Sequence, residues 1–221
     1  MVDRLFADPA DAQASGFGDT DRSRQPERRC TLSQQLWRGD LSAGLPRSVG
    51  SDGSECVVGE LTRVAEFLTH NCPNLTEATH TAHSRDFQTV KYHYLDMCDL
   101  LEIRCAQRTI GVLVGAPEDW STYYVRTFAI APDYQKRALI MRFVEECLFA
   151  PLTRLGVQRI HADTLPSNRP MTRLFSDLRF YATGQQLSER WGPLVRYTKF
   201  LDPACEALFL HRLGGNAAPP A

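Results

Sequence analysis

His161 and Asp163 lie two residues apart in a run, 157–164, that reads as a strand, so both side chains project to one side of it. An imidazole or a carboxylate placed there can take a proton from a group delivered beside it. A surface position at a sheet edge is the plainer alternative. Glu102, in a predicted hairpin, could reach the same cleft as a base, although acidic residues on strands usually face water. His70, His80, His83 and His93 gather in one helical region, and His80 with His83 has the spacing of a helix turn. No Cys or carboxylate cluster at ligand spacing accompanies them, so no metal site is expected. Trp120, Tyr123 and Tyr124 form an aromatic group suited to lining a pocket or filling a core, and Arg169 and Arg173, one helical turn apart, suit either an acidic ligand or a solvated face.

These residues need a framework, and hydrophobic periodicity supplies one. Leu61, Val64, Ala65 and Leu68 fall at helical spacing, which predicts an amphipathic helix closing near Asn71 to Pro73. Phe87, Val90, Tyr94 and Met97 predict a second helix over 86–97. Two β-rich runs, 100–106 and 110–115, flank a polar turn at 107–109 and make a hairpin. A third strand over 123–131 ends at Pro132-Asp133, before a helix whose apolar stripe is Leu139, Phe143, Val144, Cys147 and Leu148 and whose stop is Arg154-Leu155-Gly156. After the strand 157–164, Pro166-Ser167-Asn168 opens a helix with Met171, Leu174, Phe175 and Leu178 on one face. Closing strands are expected over 179–184 and 194–200. Strand, helix, strand, helix calls for an α/β domain with at least one parallel crossover under helices.

The 221 residues suffice for one domain plus a tail. Their composition, 43% hydrophobic and 23% charged with a formal net charge of -1, is globular and gives no reason to expect a polyanionic partner such as nucleic acid. The apolar runs fall far short of the roughly 20 residues of a membrane span. Asp3, Arg4 and Asp8 interrupt what would be the core of a secretory signal, so a cytoplasmic protein is expected. Seven scattered cysteines without a C-x-x-C pair indicate neither a disulfide framework nor zinc, and they are expected to pack as small hydrophobes. Residues 1–53, polar and weakly periodic, read as a flexible N-terminal extension, in which a short amphipathic piece around Leu32 to Leu41 could dock on the domain or on a partner; 54–205 read as the domain and 206–221 as a C-terminal tail.

The block Thr127-Phe128-Ala129-Ile130-Ala131-Pro132-Asp133-Tyr134-Gln135-Lys136-Arg137-Ala138-Leu139-Ile140 resembles the strand-turn-helix of the GNAT superfamily of N-acyltransferases, and residues 168–180, from Asn168 to Phe180, have the spacing of that family's second donor motif. With the hairpin, the resemblance covers about residues 59–200. It implies a mixed, mostly antiparallel sheet with a splayed parallel strand pair, flanked by helices, and transfer of an acetyl or longer acyl group from acyl-CoA to a small-molecule or protein amine. It implies that Phe128, Ala129, Ile130 and Ala131 hold the pantetheine arm by their backbone, that Gln135, Lys136, Arg137, Ala138, Leu139 and Ile140 cradle the pyrophosphate at a helix N-terminus, and that Asn168 and Phe175 contact the donor.

This sequence departs from the family pattern at several of those positions. Ala138 and Ile140 stand where small residues, mostly Gly, let a phosphate approach the backbone; Lys136, Arg137 and Arg142 offer charge instead. Phe175 stands at the position of a Tyr general acid, and Arg179 replaces a usual Gly. Three readings follow. Tyr181, Tyr123 or Tyr124 supplies the acid; or the donor is an acyl carrier protein, consistent with a slight resemblance of residues 192–202 to the ends of N-acyl amino acid synthases; or the domain is a catalytically silent module that works as a homodimer or with a partner protein.

Overall fold

A computed structural model of the protein describes residues 31–37, 39–72, 93–135, 137–189 and 191–214. Its centre is an eight-stranded sheet in the order β1-β2-β3-β4-β5-β6-β8-β7. The strands are β1 (Arg47–Ser48), β2 (Glu55–Val58), β3 (Asp99–Cys105), β4 (Arg108–Pro117), β5 (Thr122–Ile130), β6 (Arg159–Thr164), β7 (Tyr181–Ser188) and β8 (Gly192–Phe200). Only β5 and β6 run parallel; every other neighbouring pair is antiparallel. This is the mixed sheet with one parallel pair that the sequence leads one to expect. β4 reads as an unbroken apolar run because both its faces are covered, with Ile110 through Ala116 buried. The β3–β4 turn comes earlier than the polar run at 107–109 suggests: Ala106 and Gln107 both take positive φ, at 47° and 67°, which makes a tight two-residue hairpin.

Helices cover both faces. Helix α1 is Leu32–Trp37, and α2, Leu61–Asn71, turns Val64 and Phe67 onto one face of the sheet against Leu100, Val112 and Val114. The other face is covered by α3 (Arg137–Phe143), which continues through a π-helical stretch, Val144–Phe149, into α4 (Ala150–Arg154). These bury Leu139, Phe143, Leu148 and Leu152 with Ile103, Leu113 and Ile160. Helix α5, Arg169–Asp177, and α6, Pro203–Arg212, complete the set. The helix expected over 86–97 falls mostly outside the described residues; 93–96 are helical. Among the described residues no helix is long and apolar enough to cross a membrane.

Both predicted ends of the domain need correction. Of the expected extension 1–53, residues 1–30 lie outside the described residues, but the rest is built into the fold. Leu41 and Val49 are buried in the main core, β1 pairs with β2, and the Arg47 guanidinium donates to the Glu146 carbonyl at 2.9 Å. Ser33 donates to Asp99, and the Trp37 indole donates to the Trp120 carbonyl at 3.0 Å. A few isolated apolar residues, each dropped into a waiting gap, do what periodicity does elsewhere. Likewise 206–212 are not tail but helix, with Phe209 packed 5.3 Å from the Tyr181 ring and 5.0 Å from that of Phe200.

Candidate active site

The parallel pair is zipped only at its start. Thr122 to Val125 pair with Arg159 to Ala162, and beyond Val125 no residue of β5 pairs with β6. The cause lies on the other side of β5: the register with β4 shifts between Val114 and Gly115, so Val114 faces Thr127, Gly115 faces Val125, and Arg126 is left as an unpaired extra residue. Such a bulge bends its strand away from its neighbour. Gly115 belongs to the same device, since a Cβ there would stand 2.5 Å from the hydroxyl of the fully buried Tyr123.

Backbone alternation decides what the gap offers. The Ala131 N–H donates to the Ile110 carbonyl on β4, at 2.8 Å. Along an antiparallel ladder alternate residues turn their N–H and C=O the same way, so Ala129 and Thr127 also face β4, whereas Phe128 and Ile130 face the gap. The four-residue donor strand expected from the sequence thus reduces to these two residues, because the backbone groups of Ala129 and Ala131 are committed to the ladder. The Ile130 carbonyl in turn accepts from the Gln135 side-chain amide at 3.1 Å. The Phe128 ring stacks on Phe143, nearly parallel, with centroids at 5.6 Å.

Below the gap a short 3-10 turn, Pro132–Tyr134, leads to the N-terminus of α3, whose first amides have no partner within the helix. Leu139 is buried in the core and the half-buried Ile140 packs against it, while Ala138 is exposed. Lys136 and the Arg137 side chain lie outside the described residues. The gap opens into a cleft of about 720 Å³, whose lining includes Phe128, Leu148, Asn168, Phe175, Arg126 and Asp163. The π-helical stretch supplies Val144, Leu148 and Phe149 to it. Asn168 caps α5, its Oδ1 accepting from the Met171 N–H at 3.3 Å, and Phe175 packs on Phe180 and Tyr197 with ring centroids at 4.9 and 4.7 Å.

On the α2 face, His161 and Asp163 share one network. The His161 Nδ1 lies 2.5 Å from Glu118 Oε2, Glu118 Oε1 accepts from Arg196 Nη1 at 3.0 Å, and Arg196 grips Asp163 through Nε at 2.9 Å and Nη2 at 3.1 Å. Asp163 also accepts from the Tyr124 hydroxyl at 3.1 Å and from Gln186 at 2.6 Å. With both oxygens engaged by these donors, Asp163 ties Tyr124, Gln186 and Arg196 together and holds them in position. Burial and the Asp163 charge push the Tyr124 hydroxyl up to about 12, so it stays protonated at neutral pH. Hydrogen bonding to Asp163 raises the Arg196 guanidinium further above its usual range.

Two expected site residues stand elsewhere. Glu102 is fully buried and accepts from the Glu60 N–H at 2.7 Å, Arg104 Nε at 2.9 Å and Thr109 Oγ1 at 3.1 Å. It anchors the start of α2 and does not reach the cleft. Tyr181 donates to Glu206 at 2.7 Å on α6, which raises its pKa, and it does not line the cleft. Tyr123 points into the core. Sequence reasoning missed Glu118, Arg126, Gln186 and Arg196; a charged Arg196 midway along a strand, directly flanked by Leu194, Val195 and Tyr197, is the one signal that could have been followed.

No protein-family model matches the chain, and no curated protein matches it in sequence. Solved structures do. The Salmonella typhimurium acetyltransferase that modifies the N-terminal serine of ribosomal protein L7/L12 is 11% identical over 70% of this chain and 98% of its own, with a TM-score of 0.54. The Salmonella typhimurium protein yncA, solved with its cofactor acetyl-CoA, is 18% identical over 76% and 98%, with a TM-score of 0.50. A structure assigned to the GNAT family, from Desulfovibrio desulfuricans, is 14% identical over 67% and 98%, also at 0.50. At these identities the likeness is one of fold, and with the splayed parallel pair it is specific: the chain carries the GNAT fold, in a form far diverged in sequence.

Proposed function

We propose that the protein is an N-acyltransferase that moves an acyl group from acyl-CoA to an amine by direct attack. The observation that carries this reading is the parting of β5 from β6 after Val125, which turns the Phe128 and Ile130 backbone toward the gap, with Phe128 lining the cleft it opens into. A pantetheine arm laid in the gap finds backbone partners there, and an N–H on that rim polarises the thioester carbonyl. The donor phosphates go to the amides at the start of α3, which have no partner within the helix. The small exposed Ala138 and the inward-packed Ile140 leave that approach open.

The amine attacks the thioester carbon from the α2 face, the C–S bond breaks, and the proton given up by the nitrogen balances the one taken by the thiolate. His161 stands behind the cleft wall, next to Tyr124 and one residue before Ala162, which line it; with its Nδ1 held by Glu118, its Nε2 takes up the first through an intervening water. Tyr124, protonated and on the cleft wall, supplies the second, a role that Phe175 cannot fill.

Calorimetric titration with acetyl-CoA, a longer acyl-CoA and a loaded acyl carrier protein tests the reading. Binding of either CoA ester with one-to-one stoichiometry is expected; binding of none of the three overturns it.

A further inference from the structure

Among the described residues, the cleft carries one cation that no anion balances. Among the described residues that line it, the charged side chains are Arg126 and Asp163. Asp163 is neutralised by Arg196, through two hydrogen bonds. Arg126 is the extra residue of the bulge, exposed at the point where the strands part, and its guanidinium lies 5.2 Å from the centroid of the Tyr94 ring. Among the described residues it forms no ion pair. The Tyr94 ring and hydroxyl restrain the guanidinium while leaving the rest of its N–H fork available, and such a fork can receive a carboxylate. The neighbouring wall is apolar, with Leu68, Leu95 and Leu187.

We infer that Arg126 binds the carboxylate of the acceptor, so that the substrate is a carboxylate-bearing amine with an apolar body, of the kind that an aliphatic or aromatic α-amino acid represents. This rests on the acyltransferase reading above. The donor's own anions do not compete for Arg126. In the proposed binding mode they sit beyond Ile130, four residues further along β5, which is roughly 13 Å at strand rise.

The test compares acyl transfer from acetyl-CoA to leucine and phenylalanine with transfer to leucinamide and phenylalaninamide, for the intact protein, Arg126→Met and Arg126→Lys. Acetyl-CoA affinity is measured alongside. The acids are expected to be favoured over their amides by about 10- to 100-fold in kcat/KM, because the amides leave the guanidinium without its anion. In Arg126→Met the ratio falls to near one with acetyl-CoA affinity unchanged, and Arg126→Lys is intermediate. A ratio near one in the intact protein, a ratio that survives in Arg126→Met, or no transfer to either acid while acetyl-CoA binds would each overturn the inference and leave the acyltransferase reading standing. Failure of every acyl donor to bind removes both.

Discussion

Gln135 donates its side-chain amide to the Ile130 carbonyl at 3.1 Å, tying the loop before α3 to the rim of the gap. A donor arriving in the cleft therefore meets a loop already fixed in place and an Ile130 that offers only its N–H. Gln135→Ala loosens the loop by one net hydrogen bond, about 1 kcal/mol. Acyl-CoA affinity should fall about fivefold by calorimetry, with thermal stability little changed.

Phe128 provides a sharper probe of the gap itself. Its N–H faces away from the β4 ladder, so proline there removes a gap-facing donor without removing a ladder bond. Phe128→Ala controls for loss of the stack on Phe143. Phe128→Pro is expected to bind acyl-CoA at least about tenfold more weakly than Phe128→Ala, at similar helix and sheet content by circular dichroism. Equal affinities would place the donor elsewhere.

His161→Gln should lower kcat by about 10²- to 10⁴-fold, the usual worth of a positioned base, while leaving acyl-CoA affinity unchanged. Glu118→Gln, which keeps a hydrogen bond but loses the charge facing His161, should cost less. Single-turnover rates at saturating donor distinguish these effects from a binding defect.

Glu102 gives the opposite signature. Its buried carboxylate satisfies Arg104, Thr109 and the Glu60 N–H, so Glu102→Ala strands a partly buried guanidinium and should destabilise the fold by about 3 kcal/mol. Urea denaturation reads this loss. The pH profile of the surviving activity should match that of the unaltered protein, which a catalytic base at this position would forbid.

Asp99 links stability to pH. Burial, the largest cause, raises its pKa above the ordinary carboxylate value, against the opposing hydrogen bond from Ser33. The folded state therefore holds this proton more tightly than the unfolded one. The contribution is favourable below the unfolded pKa, near 3.8, and is lost as pH rises through the folded value. The stability of the protein relative to Asp99→Asn should accordingly fall as pH rises from about 4 toward neutrality, with a slope of at most about 1.4 kcal/mol per pH unit. Urea midpoints across that range check the sign.

The order of elements was legible in the sequence because β4, β5, β6 and the helices between them each bury a long periodic face, and periodicity survives without knowledge of the partner. The parallel pair followed from that order. The bulge did not, since a register shift at Val114 and Gly115 is a property of two strands at once. Nor did the roles of the acids: Asp163 is gripped by Arg196, 33 residues away, and Glu102 looked exposed until α2 was seen to start upon it. The docking of Leu32 to Leu41 is suggested by its amphipathic pattern, whereas Val49 is a single apolar residue in polar surroundings, meaningful only beside the core that receives it.

The extra residue at 126 makes the opening of the sheet an all-or-nothing trait. Removing that single codon would restore continuous one-to-one register between Gly111–Pro117 and their partners, draw the two parallel neighbours together, and in the same stroke discard the guanidinium.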